Sequence, residues 1–230
     1  MAGAQNICNL VTALIGMVFI ATSFGLKYGW AYTSVSFTTS GSCSATLEIF
    51  IGIFETFSRF SIYGAASQCD EETIETVSTI DCNSQAGQDC DALTTATNAL
   101  SSALALSAAY LLLSIIAMFC KESMLVTFAL MCLSVGVLVS SFNACGSYQE
   151  FLNTINSTVN DSTGAEIGWE WTLISGFVLC IMTGVLATLS LFLHISNFFS
   201  IWRKSSEPRQ SAQGNSAHSE NPMVVKAIVV

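Results

Sequence analysis

The chain has 230 residues, 52% of them hydrophobic and 10% charged, against a charged share of about 25% in soluble globular proteins. That composition excludes a soluble globule and reads as an integral membrane protein. Sixteen acids against seven bases give a net charge of -9, which excludes a nucleic-acid partner, because phosphate recognition needs a concentrated basic face.

In chain order, the first apolar run covers residues 9–26. It follows "MAGAQNIC", which has no basic n-region, so the run is expected to be a retained signal anchor. Residues 27–96 then form a long outer loop. Within it "TSVSFT" at 33–38 alternates small polar residues with Val35 and Phe37, the period of a half-buried strand. "TLEIFIGIFETF" at 46–57 is β-branched and aromatic, interrupted by Glu48 and Glu55, and "RFSIYG" at 59–64 continues the trend. Together they predict a small antiparallel β-sheet in the first outer loop. In "DEETIETVSTID", Ile74, Val77 and Ile80 recur every three positions, which predicts a short helix lying on that sheet.

The same loop carries Cys43, Cys69, Cys82 and Cys90. A small lobe in an oxidising compartment buries too little apolar surface to hold itself together, so two disulfides are expected, with three possible pairings left open. Structural zinc is the weaker reading: the gaps are 26, 13 and 8 residues and the loop has no histidine. Asp70, Glu71, Glu72 and Glu75 lack the glycine-punctuated pattern of a calcium loop and read as a solvated acidic face. No metal or cofactor is expected.

The second run, 97–119, places Ala99, Ala103 and Ser107 four apart on one face, where helices approach closely. The third, 123–142, is uncharged apart from its neighbouring "KES" connection. A shorter outer loop, 143–168, holds two glycosylation acceptors, Asn156 in "NST" and Asn160 in "NDS". The fourth run, 169–195, has Gly176 and Gly184 eight apart on one face. Each run meets the roughly 20-residue requirement for a helix that crosses the hydrocarbon core. The expected fold is therefore an all-α four-helix transmembrane bundle carrying a disulfide-bonded extracellular antiparallel sheet.

Orientation follows from the bases. Lys121 lies between the second and third runs, and Arg203, Lys204, Arg209 and Lys226 follow the fourth, while Lys27 and Arg59 alone fall in the outer loops. The positive-inside rule makes both termini cytoplasmic, and a multi-pass plasma-membrane protein is expected. Of the other cysteines, Cys132 and Cys180 read as small apolar residues within spans. Cys145 stands at an outer span end, free or paired, and Cys8 and Cys120 stand near the inner boundary, where packing is favoured over palmitoylation.

No nucleophile elbow, phosphate loop or HExxH motif occurs, so no enzyme is expected. His194, near the inner end of the fourth span, reads as an interfacial residue, and His218 lies in the tail. Residues 201–230 form a cytoplasmic tail that is polar and serine-rich at first and apolar at its end. Its final Ile228 and Val230 have the pattern of a peptide that adds a strand to a PDZ-type scaffold, set against a segment that packs on its own bundle or on a neighbouring subunit.

Several residues carry a likeness to a known family. Trp30 follows the first span, "GIF" at Gly52, Ile53 and Phe54 is similar to a Gly-Leu-Trp signature, "GQDC" ends at Cys90 before the second span, and "GAEIGWEWTLISGFVLC" leads into the fourth. With four spans and a large first outer loop, the chain resembles the claudin and peripheral-myelin-protein superfamily. Phe57 stands where the family has a cysteine, and the loop has four cysteines and an acidic insertion where the family has one disulfide. The likeness implies a divergent claudin-like protein acting in adhesion or structural assembly through its outer lobe. Its partners would be other membrane proteins, identical copies or a larger complex, together with the lipid bilayer. An auxiliary subunit of a larger membrane complex such as an ion channel is the alternative. A cation-favouring pathway is a third reading, since nine acids in the first outer loop face Arg59.

Overall fold

The computed structural model describes residues 2–38, 43–64, 72–80, 89–119, 123–163 and 170–206. Four helices dominate it: α1 (Ala2–Gly25), α2 (Asp89–Phe119), α3 (Met124–Thr163) and α4 (Ser175–Ser206). Each contains a stretch long and apolar enough to cross a membrane. α1 packs on α2 and α4, and α3 packs on the same two helices, so the four close into a ring. Leu14, Val18, Leu125, Val139, Leu189 and Phe192 are exposed on its outside. So broad an apolar exterior suits a lipid solvent and is foreign to a soluble monomer.

Small residues set the helix approach. Ala99, Ala103 and Ser107 are buried, as their four-residue spacing predicts. At Gly184 an added methyl carbon would stand 3.0 Å from the Phe142 ring, so the α3–α4 contact is already closed by the glycine itself.

At one end of the bundle sits a five-stranded antiparallel sheet of β1 (Ala31–Thr38), β2 (Cys43–Ile51), β3 (Glu55–Gly64), β4 (Thr73–Thr79) and β5 (Thr172–Leu173). Their order is β4-β3-β2-β1-β5. The register pairs Ala31 with Ile51, Glu48 with Arg59 and Arg59 with Glu75. β5 lies just before α4, so a segment distant in sequence completes the sheet edge.

Three details differ from the sequence expectations. Residues 46–57 are two strands, because the chain turns at Gly52 between Ile51 and Glu55. The segment around Ile74 and Val77 is strand β4 and not a helix. Its residues are β-branched, apart from Glu75 and Ser78, and β3 offers them an open edge whose ladder bonds outweigh a marginal three-residue periodicity. Finally, α3 continues through much of residues 143–168 and ends at Thr163. Tyr148, Phe151, Leu152 and Ile155, spaced at helical intervals, pack on the core and carry the helix onward.

Candidate interaction surface

The junction between sheet and bundle centres on Trp30. Its side chain has no exposed surface, packs on Tyr148 with ring centroids 5.0 Å apart, and meets Phe177 edge-on at 6.3 Å. Its indole Nε1–H donates to the Ser23 carbonyl at 3.0 Å, which meets the requirement that a buried indole find an acceptor. Ser23 Oγ in turn donates to the Gly176 carbonyl at 2.7 Å, and the Gly176 amide donates to the Gly29 carbonyl. A methyl carbon at Gly176 would stand 2.6 Å from the Trp30 ring, so only glycine lets α4 begin here. The Tyr148 hydroxyl donates to the Ile51 carbonyl at 3.0 Å, and the Ile174 amide to the Trp30 carbonyl at 3.1 Å. α1, α3, α4, β1 and β2 are therefore pinned to one another around one ring.

The four residues of the family-like signature fall together at this junction. Gly52 is buried against the Lys27 carbonyl, where a Cβ would collide with backbone, and its amide donates to Glu55 at 2.9 Å. Ile53 is core, and Phe54 meets Phe24 edge-on at 5.4 Å while its carbonyl accepts from the Ile80 amide.

Beyond the junction, residues paired across the strands share a face. One rung is aromatic: Tyr32 and Phe50 lie 4.7 Å apart, Phe50 and Phe57 5.7 Å, and Tyr28 and Phe57 5.7 Å, with exposed Val77 at its end. The next rung on that face is charged. Arg59 contacts Glu75 at 2.9 Å and Glu48 at 3.7 Å, and the Tyr32 hydroxyl donates to Glu48 at 3.1 Å. Two carboxylates on one guanidinium leave this rung net negative. β4, at the sheet edge, is exposed at every position.

A second acidic contact borders the junction. Glu55 pairs with Lys27 at 3.4 Å; the nearby Tyr28 hydroxyl first and the Lys27 ammonium next hold the Glu55 carboxyl below the usual range.

Several sequence-predicted sites are placed less fully. Cys43 opens β2, and Cys90 lies in the first turn of α2, while Cys69, Cys82, Ile228 and Val230 lie outside the described residues. Asn156 lies on α3, and its side-chain carbonyl accepts from the Trp171 indole at 3.0 Å; Asn160 lies one turn further along the same helix. Cys145 and Cys180 are both buried thiols, and Cys180 Sγ donates to the Ser141 carbonyl at 3.4 Å. Among the described residues no group of three His, Cys, Asp or Glu side chains converges as a metal site would require.

Sequence reading missed two features. Tyr148 lay in what reads as a polar loop, and its only signal was helical spacing with Phe151 and Leu152. The burial of His194 was the other: it is 1% exposed and bonded to the Tyr110 hydroxyl at 2.8 Å across the ring of helices.

No family model matches the chain, and no curated protein matches it either.

Proposed function

We propose that the chain is a non-enzymatic, multi-pass membrane protein of claudin-like design, with cytoplasmic termini, acting in adhesion or structural assembly through its outer lobe. The observation that carries this reading is the clamped sheet. Trp30 fixes β1 and β2 to three helices, so the sheet presents its aromatic and charged rungs on a rigid base, with a wholly exposed edge strand β4 beside them. A membrane-anchored lobe with such a face is suited to contact another protein in the same or the facing membrane. Two disulfides among Cys43, Cys69, Cys82 and Cys90 belong to this proposal, as do glycans on Asn156 or Asn160 and a PDZ-type contact through Ile228 and Val230.

Two differently tagged copies of the full chain, expressed together in one cell line or in two mixed cell lines, test the reading. Recovery of one tag with the other, or clustering of the mixed cells, is expected, and Val77→Glu together with Phe57→Ser should abolish it. A monodisperse monomer that joins neither copies nor cells refutes it. Copurification of a different membrane protein without self-association points to the auxiliary-subunit alternative instead.

A further inference from the structure

At the end of the bundle away from the sheet, a polar cavity of about 30 Å³ lies between all four helices. Asn6 and Asn9 of α1, Ser114 of α2, Thr127 of α3, and His194 and Asn197 of α4 supply its polar lining. A second cavity of about 20 Å³ has Tyr110, Ser107, Ser134 and Ser190 in its walls. His194 faces the first cavity and Tyr110 the second, so the hydrogen bond between them forms the partition.

The lining is unbalanced in one respect. Asn9 is 5% exposed, and no described residue donates to its side-chain oxygen; the same holds for the hydroxyl of Ser107, 4% exposed. Ser114 spends its hydroxyl hydrogen on the Tyr110 carbonyl and Thr127 on that of Ser123, so both present lone pairs. An orphaned buried carbonyl is costly, most of all in a bundle with a lipid exterior. Something that donates hydrogen bonds belongs here.

The surroundings choose among donors. Among the described residues, no Asp, Glu, Lys or Arg lines either cavity. α1 and α3 start at this end and α2 and α4 finish there, so the helix dipoles offset one another and leave no net field to hold an ion. The unpartnered acceptors oppose an anion. A neutral ligand that donates and accepts, with a volume near that of the cavities, satisfies both conditions. On this measure a water needs about 10–15 Å³ and two to four polar partners.

We propose that these cavities are binding sites for ordered water, about two molecules in the first and one in the second, and that the first bridges Asn9, Ser114, Thr127 and His194. The bridge joins all four helices, and it gives the Tyr110–His194 pair a solvent contact inside the bundle.

The test uses the full chain in lipid nanodiscs with isotope-labelled histidine and His218→Gln, so that His194 is the sole histidine. Magnetisation transfer from water to the His194 ring is expected, and a several-fold loss of that transfer is expected in Asn9→Leu. The melting temperature of Asn9→Leu should fall by about 2–4 °C, the shift that goes with losing one net hydrogen bond in a chain of this size. Absence of transfer in the folded His218→Gln chain overturns the proposal without need of a further variant. So does an Asn9→Leu chain that melts higher, because that is the behaviour of a dry cavity relieved of an orphaned acceptor.

Discussion

Replacing Trp30 by Phe keeps an aromatic ring at the junction and removes two things. The Nε1–H donor to the Ser23 carbonyl disappears, which costs about 1 kcal/mol net. The smaller ring also leaves roughly 40 Å³ unfilled beside Tyr148 and Phe177, worth about 1 kcal/mol at roughly 24 cal/mol per Å³. The sum, about 2 kcal/mol, corresponds to a fall in melting temperature of about 4–8 °C for a chain of this length. Trp30→Ala removes the whole side chain and falls in the range of about 3–5 kcal/mol. Thermal melting of the purified full chain in nanodiscs, followed by size-exclusion retention of the heated sample, measures both. If Trp30→Phe melts within about 1 °C of the parent, the ring is not the clamp between sheet and bundle, and the argument from a rigid base fails.

Four further outcomes are expected. Gly52→Ala drives a methyl into the Lys27 carbonyl and should sharply reduce the yield of monodisperse protein. Gly146→Ala, by contrast, meets nothing within 4 Å on an exposed face of α3 and should stabilise by about 0.5–1 kcal/mol, read by the same melt. Arg59→Gln should change the melting temperature little, because its partners are solvated, with side-chain exposures of 43%, 29% and 50% across the cluster. It should, however, make any self-association more salt-dependent by leaving Glu48 and Glu75 unpaired, as sedimentation at two ionic strengths would report. Tyr28→Phe should raise the Glu55 pKa toward the ordinary glutamate value of about 4.3, measured by carbon-detected titration. Because that pKa is depressed in the fold, its contribution is present above the ordinary value and is lost as pH falls through the lowered one. An unchanged titration in Tyr28→Phe refutes the role assigned to the Tyr28 hydroxyl.

The sequence alone determined the four apolar helices and the existence of a sheet. Runs of twenty apolar residues have one stable form in lipid, a helix that satisfies its own backbone, and alternation at 33–38 has a strand period that local chemistry dictates. It also marked Trp30 and Gly52 as unusual, though not why. Tertiary structure decided what depends on neighbours. Residues 73–79 became a strand because β3 offered an unpaired edge, which no local periodicity records. α3 ran on to Thr163 because Tyr148, Phe151 and Leu152 found a core to bury in. His194 became a buried bridge because Tyr110, 84 residues away in the chain, faces it across the ring. Periodicity shows which faces of an element are apolar; which partner a polar group meets depends on contacts that form only when distant segments pack.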